Sequence, residues 1–453
     1  MWPDQDSENS KAKDSKVLRI DRLRLENYRC FREFEVDFHP HMTVLTAANG
    51  QGKTAILDAL GLSLTPLLAS FPEVFGNHIR TEDVYLDNQD NSVEPIYPCR
   101  VEVEGLLGGS RQTWARELRS YKGRTTTREA QALSHLSQEI ADLVRNRGQS
   151  ALPLVAHYGT ERLWNTIKLT TGKKTANVTR SRLAGYLDCL NPASNFKWVQ
   201  DWMGRTLMDL REAQEGKDEH AASALNRQLA WIVHTIKDFL RHVLPVDVVS
   251  YSWKRGEIIL LSQGRPLSVG QLSDGTRIVL GLVADLAHRA IRLNPHLKNP
   301  MAETPGVVLV DEVDLHLHPQ WQQQLVAQLQ ITFPKLQFIL TSHSPQVVST
   351  VRREQVRIIT HETTKASLPE AETYASRASS VLERVFSVDS RPPLEVVEEL
   401  RHYLELVQRG SGHGPDGREL RSKLEEQLGG EDPDLVRADA MLARQKILDG
   451  SSA

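Results

Sequence analysis

The sequence predicts an α/β fold, and three observations carry that expectation. Residues 42–46 are a short apolar run that feeds a glycine-bearing turn and then a helical pattern. Residues 306–310, GVVLV, are a second buried-strand pattern, ending at Asp311 and Glu312. From 306 to 360, strand-like runs alternate with helical ones, the order that lays helices against a largely parallel sheet. The chain has 453 residues, 40% apolar and 25% charged, which allows two or three domains with a sizeable core and excludes a wholly disordered chain.

The elements follow in order. Residues 1–16 are polar and read as a loose tail, without the apolar core of a signal peptide. Leu18, Ile20, Leu23 and Leu25 outline a first strand, and Phe34, Val36 and Phe38 alternate as a second. Strand 42–46 and helix 55–64 flank the turn AANGQGKT. Residues 93–107 and 111–123 read as strands of an antiparallel sheet, 129–148 as helix, and 151–164 as a strand ending in a loop. Residues 196–243 are mostly helical with a polar break at 211–223, and 247–261 alternate like strands. A helix follows at 278–291, then strand 306–310, helix 325–334, strand 336–344 and a last strand at 356–360. Residues 392–449 are charged and helical, divided by GSGHGPDG. The expected organisation is a tail (1–16), a first part of a head (17–99), an inserted strand and helical lid (100–246), a second part of the head (247–391) and a helical extension (392–453).

Composition excludes several classes. Lys plus Arg is 55 and Asp plus Glu is 58, a formal charge of −3, so a generally basic nucleic-acid coat is not expected. Cys30, Cys99 and Cys189 are far apart in sequence and make neither a disulfide framework nor a Cys-rich zinc site. No run of 18 apolar residues occurs, so no transmembrane helix is expected and the cytoplasm is the expected location.

Four short motifs carry chemistry. In AANGQGKT, Asn49, Gly50, Gln51 and Gly52 offer backbone N–H groups at a helix N-terminus, which cradle phosphates. Lys53 neutralises phosphate charge and Thr54 reaches Mg2+; the first glycine of the usual pattern is Ala47 here. Asp311 is a second Mg2+ contact, and Glu312 orients and activates the attacking water. His343 follows the strand LQFIL and is placed to contact a γ-phosphate. Ser273 and Gly275, in LSDGT before a helix, read as a second anion-binding element or as a plain serine cap. Two phosphate-reading elements in one chain point to a site completed by another subunit.

AANGQGKT, LSDGT, VVLVDE and the His343 motif together resemble the ABC-type ATPases of the RecF, SMC and overcoming-lysogenization-defect group, over about 17–64 and 262–360. The resemblance implies an ABC-type ATPase head with a mixed central sheet, an antiparallel N-terminal sheet, an inserted helical lid and a C-terminal helical extension. It implies ATP and Mg2+, hydrolysis to ADP and phosphate, and a homodimer that sandwiches two ATP molecules. Ser273 and Gly275 would then touch the γ-phosphate bound at Lys53 of the other copy. Asp274 and Thr276 depart from the family's Leu-Ser-Gly-Gly-Gln signature. Residues 157–164 and 181–203 are similar to a small bacterial group that includes the ATPase partner of HNH-nuclease antiphage pairs, which implies a switch that controls a separate effector nuclease.

Other features are weaker. His316 and His318 read as interface packing in preference to a zinc pair, and Trp198 and Trp202, four apart, as core or interface in preference to base stacking. Arg162 reads equally as a phosphate or nucleic-acid contact and as a surface arginine, and Gln89 is the nearest candidate for a glutamine loop. The DPD at 432–434 sits in a Gly/Pro-rich turn and not at the end of an apolar strand, so no intrinsic nuclease site is expected. The basic stretch 168–182 keeps open a RecF-like DNA-repair clamp, in which DNA is the partner. An ATP-dependent transporter subunit is a further alternative, disfavoured by the N-terminal strands and the large insertion.

Overall fold

The computed structural model describes residues 17–71, 76–89, 92–160, 181–192, 197–241, 244–360 and 362–450. The chain divides into two compact units, Met1–Phe386 and Ser387–Ala453.

In the first unit, β1 (Leu18–Tyr28) and β2 (Phe31–Asp37) form an antiparallel pair. The three-residue step from Ile20 to Leu23 breaks strict alternation, and a register shift between Ile20 and Arg22 absorbs it, so both leucine-rich halves still face the core. β3 (Met42–Thr46) is buried along its whole length and leads through a loop into α1 (Lys53–Leu64). β4 (Leu86–Gln89) and β5 (Ser92–Pro95) make a separate hairpin. β6 (Cys99–Leu107) and β7 (Ser110–Leu118) return to the first sheet, giving the order β2-β1-β6-β7. After α2 (Gln131–Arg145) comes β8 (Leu154–Tyr158), then α3 (Lys197–Glu215) and α4 (Glu219–Leu240). β9 (Val248–Ser252), β10 (Glu257–Ser262) and β11 (Arg265–Ser268) form a three-stranded antiparallel sheet. α5 (Asp274–Leu293) precedes β12 (Gly306–Val310), α6 (Pro319–Thr332), β13 (Leu336–Thr341) and β14 (Val356–Ile358).

The second sheet is parallel, in the order β14-β3-β13-β12-β8. β3, β8, β12 and β13 are buried at every residue, the pattern of strands covered on both faces. The region 100–246 does not stand apart from the head as an insertion. β6 and β7 complete the sheet begun by β1 and β2, and β8 is an edge strand of the parallel sheet. The physical reason lies in the sequence: β6 alternates buried and half-buried over nine residues, and β8 is an all-buried run that pairs with β12 along its length.

The second unit holds three helices, α7 (Glu395–Gln408), α8 (Pro415–Leu428) and α9 (Pro433–Gly450), around Leu400, Tyr403, Val407, Leu424 and Leu435. The break expected at GSGHGPDG is present, and a second falls in the Gly/Pro-rich turn read around 432–434, where Gly429, with a φ of 83°, ends α8. The Asp432 carboxylate accepts from the N–H groups of Asp434 and Leu435, and Arg391 pairs with Asp432 at 2.8 Å and Asp434 at 2.6 Å. The DPD turn is therefore a helix start tied by an arginine. Among the described residues, no helix is long and apolar enough to cross a membrane.

Candidate functional site

Because β3, β12 and β13 are parallel, their C-terminal ends bring residues far apart in sequence to one edge of the sheet. The loop after β3 turns at Gly50 (φ 78°) and Gly52 (φ 88°), in the left-handed region that favours glycine. Gly52 is constrained twice, since a Cβ there would lie 2.4 Å from the Phe31 ring. Asn49 and Gly50 are exposed, and Gln51 is half-buried with its Oε1 buried and without a hydrogen-bond partner among the described residues.

Lys53 opens α1 and is only 7% exposed. Its ammonium curls back to donate to the carbonyls of Ala47 (3.1 Å) and Ala48 (3.2 Å), at the mouth of the loop. Burial pushes that ammonium down from its usual value, and Asp311, Glu312 and Asp314 oppose the shift.

Asp311 ends β12 and is 2% exposed. Thr54 Oγ1 donates to its Oδ2 at 2.7 Å, and Thr341 Oγ1 donates to its Oδ1 at 2.6 Å. Its backbone N–H donates to the carbonyl of Tyr158 at 2.8 Å. α1 and β13 thus fix the carboxylate, and β8 fixes the backbone that carries it. The Glu312 N–H donates to Thr341 Oγ1 at 2.7 Å, and Glu312 holds a left-handed φ of 44°, a strained conformation for a non-glycine residue. His343 lies just past β13 and feels the same charges: burial and Lys53 push its imidazole below the ordinary value, while Asp314, Glu312 and Asp311 push it up. Asp314 Oδ1 is buried and lacks a hydrogen-bond partner among the described residues.

A hydroxyl and a carboxylate 2.7 Å apart, a buried ammonium at a glycine turn, and two orphaned polar oxygens form a donor set that suits a divalent cation and a polyphosphate. Lys53, Thr54, Asp311, Glu312 and His343 are all at this edge. Ser273 and Gly275 lie elsewhere, at the start of α5. Ser273 is exposed; its Oγ accepts from the Thr276 N–H at 3.3 Å and lies 2.8 Å from Thr276 Oγ1. The next turn is tied by an Asp274–Arg277 ion pair. Gly275 packs inward: a Cβ there would meet the His316 carbonyl oxygen at 2.4 Å.

The weaker features resolve as follows. His316 has a φ of 58° and presents its carbonyl to Gly275, and His318 caps α6, its Nδ1 accepting from the Gln320 N–H at 3.3 Å. Gln89 ends a strand of the separate β4–β5 hairpin. Arg162, and residues 168–180 of the basic stretch, lie outside the described residues. Trp198 and Trp202 sit on α3, where Trp202 packs against the core.

The sequence reading missed Thr341, Tyr158, Asp285 and Arg289. Tyr158 donates its hydroxyl to Asp285 Oδ2 at 2.7 Å, and Arg289 Nε donates to the same oxygen at 2.8 Å. Arg289 also donates to the carbonyls of Gly185 and Leu187, both at 2.9 Å. The available signal was an Asp and an Arg four apart inside an otherwise apolar helical run, VADLAHRAI.

Residues 22–230 match a family model described as an AAA domain, and residues 200–349 match a second AAA domain model whose description also names the AbiEii toxin of a type IV toxin–antitoxin system. The probable ATPase of retron Vc95 from Vibrio cholerae is 28% identical, across 87% of this chain and 84% of that protein. The probable ATPase of retron Ec83 from Escherichia coli is also 28% identical, across 94% of this chain and 87% of that protein. Septu protein PtuA from Bacillus mycoides is 23% identical, across 72% of this chain and 38% of that protein. Among solved structures, the Smc head domain of Pyrococcus furiosus bound to the C-terminal domain of ScpA aligns at 12% identity with a TM-score of 0.47, over 82% of this chain and 100% of that one. The two AAA-domain matches together span residues 22–349, and the chain is homologous to the probable retron ATPases and to Septu PtuA.

Proposed function

We propose that two copies of this chain close over two ATP molecules and that hydrolysis reopens them, a switch that controls a separate effector nuclease in antiphage defence. The observation that supports this most is the 2.7 Å hydrogen bond from Thr54 to Asp311, which joins the glycine turn to the carboxylate strand. Backbone N–H groups of Asn49–Lys53 cradle the phosphates, and Lys53 leaves the Ala47 and Ala48 carbonyls to meet them. Thr54 and Asp311 would hold Mg2+, which supplies positive charge against the phosphate oxygens. Glu312, its backbone pinned by Thr341, aims a carboxylate at the attacking water, and neutral His343 donates toward the γ-phosphate.

Ser273 supports the two-copy arrangement because it is exposed, so its hydroxyl can exchange the Thr276 contact for a phosphate held by another copy. Gly275 supports it differently, by letting the start of α5 sit against the loop after Glu312. The effector and the cytoplasmic location rest on the resemblance to Septu and retron ATPases. Nucleic acid is the proposed input, read by the basic stretch 168–182. Glu312→Gln should stop steady-state hydrolysis while ATP stays bound, and the mass of the ATP-loaded variant should be that of a dimer. Turnover unchanged by Glu312→Gln defeats the catalytic assignment, and an ATP-loaded monomer defeats the switch.

A further inference from the structure

The three helices of the second unit meet water differently. The exposed residues of α7 are Glu395, Glu398, Arg401, His402, Glu405 and Gln408, all polar. After Pro415, the exposed residues of α8 are polar too. α9 turns apolar residues outward on a regular spacing. Val436 (52% exposed), Ala440, Ala443 and Ile447 (72% exposed) recur at steps of four, three and four. The inner face of the helix is already used. Leu435, Ala438 and Leu442 are buried in the core of the unit, and Gln445 donates to the Val407 carbonyl at 2.9 Å. At about 100° per residue, the outer stripe stands roughly 150° round the helix from that core. Single exposed apolar side chains are ordinary, but four in register along one helix make a seam.

The stripe follows a heptad pattern. Ala440 and Ile447 take the a positions of a coiled coil, and Val436 and Ala443 the d positions. The two alanines let a second backbone come close. Asp439 and Lys446 flank the seam at g, and Arg437 and Arg444 flank it at e.

These flanks decide what fits. Against a second α9 running the same way, Asp439 of each copy meets Arg444 of the other, twice by symmetry, and no like charges face each other across the seam. With the second helix reversed, Arg437 of each copy would meet Arg444 of the other, and like charges disfavour that arrangement. Asp439 already pairs with Arg421 at 2.8 Å, but its side chain is half-exposed and a carboxylate accepts from more than one donor. Arg444 is exposed. The inner face and the Asp432 cap fix the helix beforehand, so little ordering is left to oppose association.

We propose that α9 pairs in parallel with α9 of a second copy of this chain, an interface that needs no nucleotide. It is separate from the closing of two copies over ATP and does not rest on that reading.

The test is sedimentation equilibrium of the full chain without nucleotide, from about 5 to about 100 µM. The expected result is a reversible dimer with Kd below about 100 µM. The double variant Val436→Glu, Ile447→Glu should weaken it at least about tenfold, with helix content by circular dichroism unchanged because both positions face water. Arg444→Glu sets an acid against Asp439 and should weaken the dimer about fivefold, whereas an antiparallel pair would gain by losing its arginine repulsion. Lys53→Ala should leave the dimer intact. A chain that stays monomeric at about 100 µM overturns the proposal and leaves the face to a helix of a different protein. A dimer that survives the double variant, is strengthened by Arg444→Glu or is lost in Lys53→Ala overturns it equally.

Discussion

Lowering the pH from 7.5 to 5.5 should destabilise the first unit through two buried histidines, by at most about 3 kcal/mol. His157 is 2% exposed on β8, where burial lowers its imidazole; Asp58, with an oxygen 3.8 Å from Nε2, and Asp311 oppose the shift, and Arg29 adds to it. His288 is pushed well below the ordinary value by burial, then by Arg292 and Arg289. Both resist protonation when folded and are free to protonate when unfolded. The unfolded chain therefore binds more protons, and stability falls as pH drops through the ordinary histidine value of about 6.5. Each such group costs at most RT ln(1 + 10^(6.5 − pH)), which is negligible at pH 7.5 and about 1 kcal/mol at pH 5.5. The half-buried His343 and His296, also lowered, add smaller amounts of the same sign. Urea unfolding at pH 7.5, 6.5 and 5.5, at constant ionic strength, measures the slope. His288→Gln should remove the larger part of it and His157→Asn the smaller. A flat profile, or a full slope retained in both variants, refutes the reasoning.

Three further outcomes follow from contacts at the site. Arg289→Met strips the buried Asp285 of its ion pair and should cost about 3–5 kcal/mol in urea unfolding, with Asp285→Asn in the same chain recovering part of it; a loss under about 1 kcal/mol contradicts the pairing. Gly275→Ala forces a Cβ against the His316 carbonyl, a backbone atom that no rotamer change can move, and should cost about 1–3 kcal/mol. A fully stable Gly275→Ala chain would show the contact to be slack. Thr54→Val removes the hydroxyl on Asp311 Oδ2 and should lower ATP turnover at least about tenfold while changing stability by about 1 kcal/mol or less, because Thr54 is exposed and Thr341 still holds the other oxygen.

Much of this was legible in the sequence where chemistry and periodicity coincide. The run into Gly52-Lys53-Thr54 and the apolar strand ending at Asp311 give both the parallel sheet and its charged edge, because a parallel strand buried on both faces has few sequences open to it. The break between α3 and α4 was readable from Gly216 to Asp218. The membership of β8 in the parallel sheet was not, since a five-residue apolar run carries no record of its neighbour, and only its pairing along β12, from Leu154 with Gly306 to Tyr158 with Val310, reveals it. Thr341 was hidden for a related reason. It ends a strand as any polar residue would, and its importance comes from Asp311, thirty positions away in the chain. The second break in the terminal helices falls in the Gly/Pro-rich turn read around 432–434, where Gly429 ends α8.

Tyr158 touches both halves of the machine with its two ends. Its phenol grips the helix that begins at Ser273, and its carbonyl grips the aspartate beside the glycine turn. The ring couples those grips: a tilt of α5 that pulls on the Tyr158 hydroxyl also pulls on β8, whose end pairs with the Asp311 backbone. Anything that leans on that helix from outside therefore has a mechanical route to the edge that carries Lys53 and Asp311.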